Sequence, residues 1–229
     1  MAFDYQQETR RHYQSAEVAN AYHAGFAGAG GWRTLRGRVV AARERAVVAQ
    51  FLRRIPHGQI LDLPAGTGKL AAVFAALDAA VVACDVSAAM LEIARREYPA
   101  AGCIKVDFRI CDAEYVAKTL AQRFEVAVCL RLLHRVPSDV RDRILAQLAA
   151  SADHAIVSMG IETGYHRARR HVRNWLFGDG TDRLCYDSLD AVEAQLNSHF
   201  QILARRSILP GLSQEMIFLL RPSRANSGP

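Results

Sequence analysis

The segment ILDLPAGTGKL, which runs from Ile60 to Leu70, constrains the fold more than any other part of the sequence. An apolar run that ends in Asp62 passes directly into a glycine-rich turn, which an apparent helix follows. Because Gly66 and Gly68 carry no Cβ, backbone N–H groups and a helix N-terminus at this turn can approach a nucleoside-type cofactor closely. A second apolar run, AAVVACD, ends in Asp85, roughly 20 residues beyond the turn, where an acid can hold ribose hydroxyls. These two features predict a nucleoside cofactor on a parallel sheet.

Three kinds of cofactor loop are compatible with a glycine-rich turn at this place: a Walker-type phosphate loop, a dinucleotide-binding loop, and a loop for a nucleoside cofactor without a pyrophosphate. A phosphate loop of the Walker type requires Ser or Thr after Gly-Lys and a glycine five positions earlier, but Leu70 and Leu63 stand there. A dinucleotide fingerprint is satisfied loosely by Gly66, Gly68 and Ala71. The carboxylate of Asp62, directly ahead of the turn, would repel a pyrophosphate, so it favours a cofactor without one.

The segment from Asp62 to Gly68 resembles the first motif of the class I S-adenosylmethionine (SAM) dependent methyltransferases, which is an acid followed by a glycine-rich turn. In that family the acid at the strand end faces the amino-acid part of SAM. Pro64 stands where the family usually has its first glycine. Since proline has no N–H, the turn must function without that donor.

Three later segments resemble further motifs of the same family, in the same order, over roughly residues 58–137. The resemblance implies that Asp85 binds the ribose, that Met90 lies near the adenine, and that Asp112 accepts a hydrogen bond from the adenine amino group. The segment EVAVCLRLLHRVP resembles the fourth strand and the loop after it, which implies that His134 lines the cofactor cleft. The complete set implied for the cofactor is Tyr22, Asp62, Ala65, Gly66, Thr67, Gly68, Asp85, Val86, Met90, Asp112, Ala113, Leu130 and Arg131.

Each of these residues also has an ordinary structural role. Asp85 is suited to cap the helix that begins near Ser87, and Asp112 to form a turn. A single histidine near a strand end, such as His134, is often a hydrogen-bonded part of the structure. Tyr22, in the segment Ala-Asn-Ala-Tyr, either closes over SAM or packs a helix against the sheet.

Short apolar segments alternate with helical segments, which predicts an α/β, Rossmann-like doubly wound sheet of seven strands with helices on both faces. Such a fold would form a single domain over residues 1–222. The expected parallel strands are 59–63, 80–84, 105–110, 125–130 and 154–159, and the expected helices are 39–54, 69–78, 88–97, 114–121 and 138–150, with others near 16–22 and from about 187.

The C-terminal end contains two strand-like runs, FQILARRSIL and QEMIFLLRP, joined by the four residues 210–213. So short a connection joins only antiparallel neighbours, whereas a nicotinamide-binding fold would continue with a crossover helix. An antiparallel strand at the edge region is a feature of the class I methyltransferases. The tail 223–229 is expected to be disordered.

Two regions lie outside the expected SAM-binding core of residues 55–159. Residues 1–54 predict an N-terminal helical cap. Residues 160–190 predict a lid and substrate wall, because ligands of open α/β sheets bind beyond the carboxyl ends of the strands. In this insertion Arg167, Arg170 and Tyr186 are candidate substrate-binding residues for an anionic acceptor, although the arginines also fit a solvated helix face.

Composition narrows the class of protein. A chain of 229 residues, 51% of them hydrophobic, suffices for one α/β domain. The apolar stretches are shorter than a membrane span, and the first residues lack the pattern of a signal peptide. The five scattered cysteines are typical of a reducing compartment. A cytoplasmic protein is therefore expected. No group of residues has metal-ligand spacing. The net charge of +6 and pI of about 9.3 leave nucleic acid open as a partner.

The function expected from these patterns is methyl transfer from SAM to an O, N or C acceptor of a small molecule, with S-adenosyl-L-homocysteine (SAH) as the product. His134 and His166 are the two candidate general bases, if the acceptor needs one. The alternatives are an RNA methyltransferase, a non-catalytic interaction protein with the same fold, and a nicotinamide-dependent oxidoreductase. The segment Leu130–Leu133 lacks the Asn/Asp-Pro-Pro-aromatic motif of many base-modifying methyltransferases.

Overall fold

The fold is a seven-stranded sheet covered by helices on both faces. The computed structural model describes residues 31–162, 185–210 and 213–223. The strands are β1 Gln59–Asp62, β2 Ala80–Asp85, β3 Val106–Ile110, β4 Phe124–Cys129, β5 Ala152–Gly160, β6 Phe200–Ser207 and β7 Glu215–Pro222. The helices are α1 Gly31–Leu52, α2 Ala71–Ala75, α3 Ala88–Ala100, α4 Val116–Leu120, α5 Ser138–Ser151 and α6 Leu189–Asn197, with short 3-10 turns at Ala113–Tyr115 and Leu133–Arg135.

The strand order is β3-β2-β1-β4-β5-β7-β6. The five strands from β3 to β5 run parallel, whereas β7 lies antiparallel between β5 and β6. The chain order reverses on either side of β1, so a crevice opens between the carboxyl ends of β1 and its neighbours. This is the edge at which both Asp62 and Asp85 end their strands. The predicted doubly wound sheet with one antiparallel strand is confirmed.

The sheet divides the core into two layers. Ile60 and Leu61 are adjacent in β1 and fully buried, and they point to opposite faces because side chains alternate along a strand. Ile60 packs in the layer formed by α1, α2 and α3, and Leu61 in the layer formed by α4, α5 and α6. Burial on both faces explains why the central strands are nearly continuous apolar runs in the sequence.

Several helix boundaries differ from the sequence prediction. The helix expected at 69–78 is limited to Ala71–Ala75, and the one expected at 114–121 is a 3-10 turn followed by α4. Helix α3 continues through Pro99 to Ala100, because a proline in the last turn removes only one backbone donor. Helix α1 begins at Gly31, ahead of the predicted start at residue 39.

Some predicted features lie outside the described residues. These are the N-terminal helix near 16–22 with Tyr22, the insertion residues His166, Arg167 and Arg170, and the tail from residue 224. All five cysteines are free thiols. In the described part of the chain, no helix has the length and apolar character required to cross a membrane.

Candidate functional site

The glycine turn after β1 is held between the two neighbouring strands. The N–H of Leu63 donates to the carbonyl of Val128 at 3.0 Å, and the N–H of Ala65 donates to the carbonyl of Cys84 at 2.8 Å. The two hydrogen bonds extend the pairing of β1 with β4 and β2 into the turn. Pro64 lies between these two donors and lines the cleft. Because Pro64 is not one of the donors, its lack of an N–H removes neither hydrogen bond.

The two glycines of the turn have different surroundings. Both have positive φ, +54° at Gly66 and +81° at Gly68. A Cβ at Gly66 would meet no atom within 4 Å, whereas a Cβ at Gly68 would lie 3.0 Å from the Tyr98 ring and 3.2 Å from Cβ of Glu97. Gly66 therefore opens the turn toward the cleft, and Gly68 allows the turn to pack on α3.

Asp85 is anchored by backbone donors on two sides. The N–H of Gly66 donates to its Oδ2 and the N–H of Ser87 donates to its Oδ1, both at 2.9 Å. Ser87, not Asp85, caps α3, because its Oγ accepts from the N–H of Met90 at 3.3 Å. A carboxylate offers about four acceptor positions, so two hydrogen bonds leave Asp85 capacity for further donors such as ribose hydroxyls. Burial raises its pKa, and hydrogen bonds from backbone donors partly counter this rise.

Asp62 is buried beside the turn and accepts a short hydrogen bond from the hydroxyl of Tyr98. Its pKa is raised to about 7: burial is the largest cause, the nearby Asp85 adds to the rise, and the Tyr98 hydrogen bond opposes it. Tyr98 is fully buried and comes from α3. The strand-end acid is thus positioned by a tyrosine that the sequence analysis did not single out.

The cleft brings together most of the residues predicted for the cofactor. Its described lining includes the predicted residues Asp62, Ala65, Gly66, Thr67, Asp85, Val86, Met90, Leu130 and Arg131. The lining also includes Ala41, Glu44, Arg45, Pro64, Lys69, Leu70, Leu132 and Arg135, which the cofactor prediction did not contain. Helix α1 therefore forms part of the wall.

Arg131 joins the loop after β4 to α1. Its guanidinium forms a two-pronged ion pair with Glu44, one prong being Nε to Oε1 at 2.9 Å. Its backbone has a φ of +59°, and its N–H donates to Oγ of Ser158 at 2.7 Å. Because Glu44 is almost fully buried, this ion pair fixes α1 against the cleft.

Asp112 and Ala113 lie next to the cleft rather than in its described lining. The side chain of Asp112 accepts from the N–H of Glu114 at 3.1 Å and so caps the 3-10 turn. The preceding Cys111 donates its N–H to the carbonyl of Asp85 at 3.1 Å, which ties this loop to the end of β2. The turn role considered for Asp112 is thus present, and its contact with adenine stays a prediction.

His134 is buried and is not among the described residues that line the cleft. Its ring stacks on Tyr186 at 6.1 Å between centroids, and its Nε2 lies 4.0 Å from Oε1 of Glu215. Burial, and after it the nearby positive charge of Arg135, lowers its pKa to about 3, so the imidazole is neutral and weakly basic at pH 7. A catalytic role for His134 stays a prediction.

Tyr186 anchors the far end of the insertion. Its ring packs over Gly160, where any Cβ would overlap it. The neighbouring N–H of Cys185 donates to the carbonyl of His134 at 2.9 Å, and the N–H of Glu162 donates to the carbonyl of Asp187 at 2.8 Å. The described residues Glu162 and Cys185 are therefore both held near the carboxyl ends of β4 and β5.

Comparison with known proteins finds a family that resembles the central part of the chain. Residues 60–153, from β1 to the start of β5, match the model of a methyltransferase domain family. This part of the chain is therefore similar to a methyltransferase domain. The fold that the sequence predicts is confirmed, and the match supports the predicted resemblance to the methyltransferases.

Relatives of the methyltransferase domain include the ubiquinone biosynthesis O-methyltransferases. That of Azotobacter vinelandii is 29% identical over 123 residues, which are 54% of this chain and 50% of the relative. That of Hahella chejuensis is 28% identical over 123 residues, 54% of this chain and 48% of the relative. The chain thus spans about half the length of the curated relatives it matches.

Solved structures share the fold over nearly the whole chain. Magnesium protoporphyrin IX methyltransferase of Synechocystis PCC 6803, solved with SAH, superposes with a TM-score of 0.79 at 18% identity, covering 93% of this chain and 98% of that one. A SAM-dependent methyltransferase of Clostridium acetobutylicum superposes with a TM-score of 0.62 at 12% identity, covering 90% and 97%.

Proposed function

We propose that the protein is a methyltransferase that uses SAM to methylate a small molecule at an O, N or C atom. One observation carries this proposal. Two carboxylates, Asp62 and Asp85, end adjacent parallel strands at one cleft, and the N–H of Gly66 between them donates to Asp85. The relatives named as O-methyltransferases of ubiquinone biosynthesis, and the neighbour solved with SAM, support the same chemistry.

The residues at this cleft fit SAM. The open space next to Gly66 lets the backbone approach a ligand, and Asp85 has acceptor capacity for two hydroxyls. Asp62, with a pKa near 7, suits a cationic ammonium group, because a neighbouring positive charge favours its ionised form. When bound, SAM would supply a methyl group from its sulfonium sulfur to the acceptor, and the sulfur would leave as a neutral thioether.

The chain's own contribution is to align an acceptor and to exclude water. Transfer is catalysed mainly by proximity, because the leaving group already supplies the driving force. An O–H or N–H acceptor must also lose a proton. His134 and His166 stay the predicted bases, and the low pKa of His134 means that it accepts a proton only if binding changes its surroundings.

The domain organisation is part of the proposal. Residues 1–54 would act as a cap and residues 160–190 as a lid, with Arg167, Arg170 and Tyr186 facing an anionic acceptor. The attachment of Cys185 and Asp187 to His134 and Gly160 supports a lid held at the carboxyl edge of the sheet. The observed contact of α1 with Arg131 supports the cap.

The test is transfer of a tritiated methyl group from SAM into a fractionated extract of bacterial small molecules, with total RNA and total protein as separate acceptor fractions. We expect label in the small-molecule fraction, and its loss with Asp85→Asn. Lys105→Gln is the matched control, since Lys105 is exposed and precedes β3 at the opposite edge of the sheet. Label only in RNA or protein would overturn the small-molecule assignment, and label in no fraction would overturn the activity.

A further inference from the structure

Tyr98 reaches the cofactor cleft through Asp62. It lies near the C-terminal end of α3, and its hydroxyl donates to Oδ2 of Asp62 at the end of β1. Both residues are buried, with Tyr98 fully inaccessible and Asp62 3% exposed. Asp62 lines the cleft, whereas Tyr98 is not among its described lining residues. The tyrosine hydroxyl therefore acts on the cleft from behind its wall.

The ring of Tyr98 is held by packing that does not involve its hydroxyl. It stacks on Phe74 at 6.4 Å and meets the edge of Phe108 at 5.4 Å, both measured between ring centroids. Gly68 lies so close that a Cβ there would be 3.0 Å from the ring. The N–H of Cys103 also donates to the carbonyl of Tyr98 at 2.9 Å. These contacts fix the hydroxyl opposite Asp62, and they would stay in place if the hydroxyl alone were removed.

The hydrogen bond has a fixed direction. Burial, and after it the negative charge of Asp62, raises the pKa of Tyr98 well above 10, so the phenol is a donor at neutral pH. A hydrogen bond to a carboxylate favours its ionised form, which is why Tyr98 opposes the rise in the pKa of Asp62. Within the described contacts the bond occupies Oδ2, which leaves Oδ1 to accept from a ligand in the cleft.

We propose that Tyr98 is a positioning residue for the cofactor: its hydroxyl keeps the carboxylate of Asp62 ionised and aimed at the ammonium group of the cofactor's amino-acid part. This inference rests on the proposed function, because it concerns the same cleft and the same cofactor. Tyr98 touches neither the cofactor nor the acceptor, so its effect on binding passes through Asp62.

Other titratable groups also face Asp62. Asp85 and Cys84 come from β2, Cys103 follows α3, and Cys129 ends β4. Burial contributes to a raised pKa for each of the three thiols, so they are neutral near pH 7. The other charged residues that line the cleft are Glu44, Arg45, Lys69, Arg131 and Arg135, and of these Lys69 has a pKa lowered to about 6. A comparison of two proteins that share all these groups isolates the contribution of Tyr98.

The experiment measures the Kd of SAH for the wild type and for Tyr98→Phe by calorimetric titration from pH 6 to pH 8. Loss of a hydrogen bond to a carboxylate should raise the pKa of Asp62 by about one. The ratio of the variant's Kd to that of the wild type should then fall from about tenfold at pH 6 to about twofold at pH 8, because the wild-type pKa is about 7. Titration of SAH itself cancels in this ratio.

Two controls separate this effect from general damage. Tyr115→Phe makes the same chemical change at a tyrosine that is 56% exposed, and it should bind SAH like the wild type. 5′-Methylthioadenosine lacks the amino-acid part of SAH, so Tyr98→Phe should bind it as tightly as the wild type does. In an Asp62→Asn background, Tyr98→Phe should no longer change SAH affinity, because the carboxyl through which it acts is gone.

Three results would overturn the role of Tyr98: a Kd ratio that is constant with pH, an equal loss of 5′-methylthioadenosine binding, or an undiminished effect in the Asp62→Asn background. Each of these requires a wild type that binds SAH, so each leaves the proposed function intact. A folded wild type that binds no SAH would overturn the proposed function, and this inference with it.

Discussion

Alanine substitutions at the two glycines of the turn should separate stability from ligand binding. Both positions have positive φ, so a Cβ at either costs about 1–2 kcal/mol of backbone strain. At Gly68 the Cβ would also press on the Tyr98 ring at 3.0 Å and on Glu97 at 3.2 Å. Overpacking of this kind adds about 1–3 kcal/mol. Gly66→Ala is therefore expected to cost about 1–2 kcal/mol and Gly68→Ala about 2–5 kcal/mol.

The variant that loses less stability, Gly66→Ala, should nevertheless show a clear loss of ligand affinity. The Cβ of Gly66→Ala enters open space where the ligand is proposed to approach, so SAH affinity should fall about tenfold or more although the fold is little affected. Urea unfolding gives the free energy of unfolding, and calorimetry on the folded proteins gives SAH affinity. The reasoning is refuted if the two variants lose the same stability, or if Gly66→Ala binds SAH like the wild type.

Three further predictions concern charges and packing around the cleft. The pKa of Asp62 in the folded protein lies above its ordinary value of 3.8, so its contribution to stability is present at low pH and is lost as pH rises toward 7. Between pH 5 and pH 8, the free energy of unfolding in urea should fall by about 3 kcal/mol more in the wild type than in Asp62→Asn. Parallel pH dependences of the two proteins would contradict this. Glu44→Gln should destabilise the protein by about 3 kcal/mol by leaving Arg131 without its buried partner, and in an Arg131→Met background the same change should cost much less in thermal unfolding. Gly160→Ala should cost about 1–3 kcal/mol because its Cβ overlaps the ring of Tyr186, and a Tyr186→Ala background should remove most of that cost, whereas additive effects would disprove the contact.

The parts of the fold that follow local patterns could be predicted from the sequence. The apolar runs that end in Asp62 and Asp85 predict strands β1 and β2 and place both acids at the strand ends. A strand buried on both faces is a nearly continuous apolar run, which is easily recognised in a sequence. The short connection 210–213 gave the antiparallel strand β7. Helix ends were less accurate, as at Ala71–Ala75, since they depend on caps and on packing against the sheet.

Contacts between distant segments could not be predicted in this way. Tyr98 lies 36 residues after Asp62, and their hydrogen bond forms because the fold brings the Tyr98 side chain to the carboxyl end of β1. Glu44 and Arg131 are separated by 87 residues. The sequence around Glu44 and Arg131 does not differ from that of solvent-exposed charged residues. Their ion pair at the wall of the cleft depends on the sheet bringing these two segments together, so it could not be predicted from the sequence.

Calorimetric titration with SAM, SAH and NADH tests the central claim most directly. We expect micromolar binding of SAM and SAH and no binding of NADH. Asp85→Asn should lose SAM binding with its fold intact, because that variant removes the charge anchored by Gly66 and Ser87. A folded wild-type protein that binds NADH but neither SAM nor SAH would contradict the assignment of the cleft.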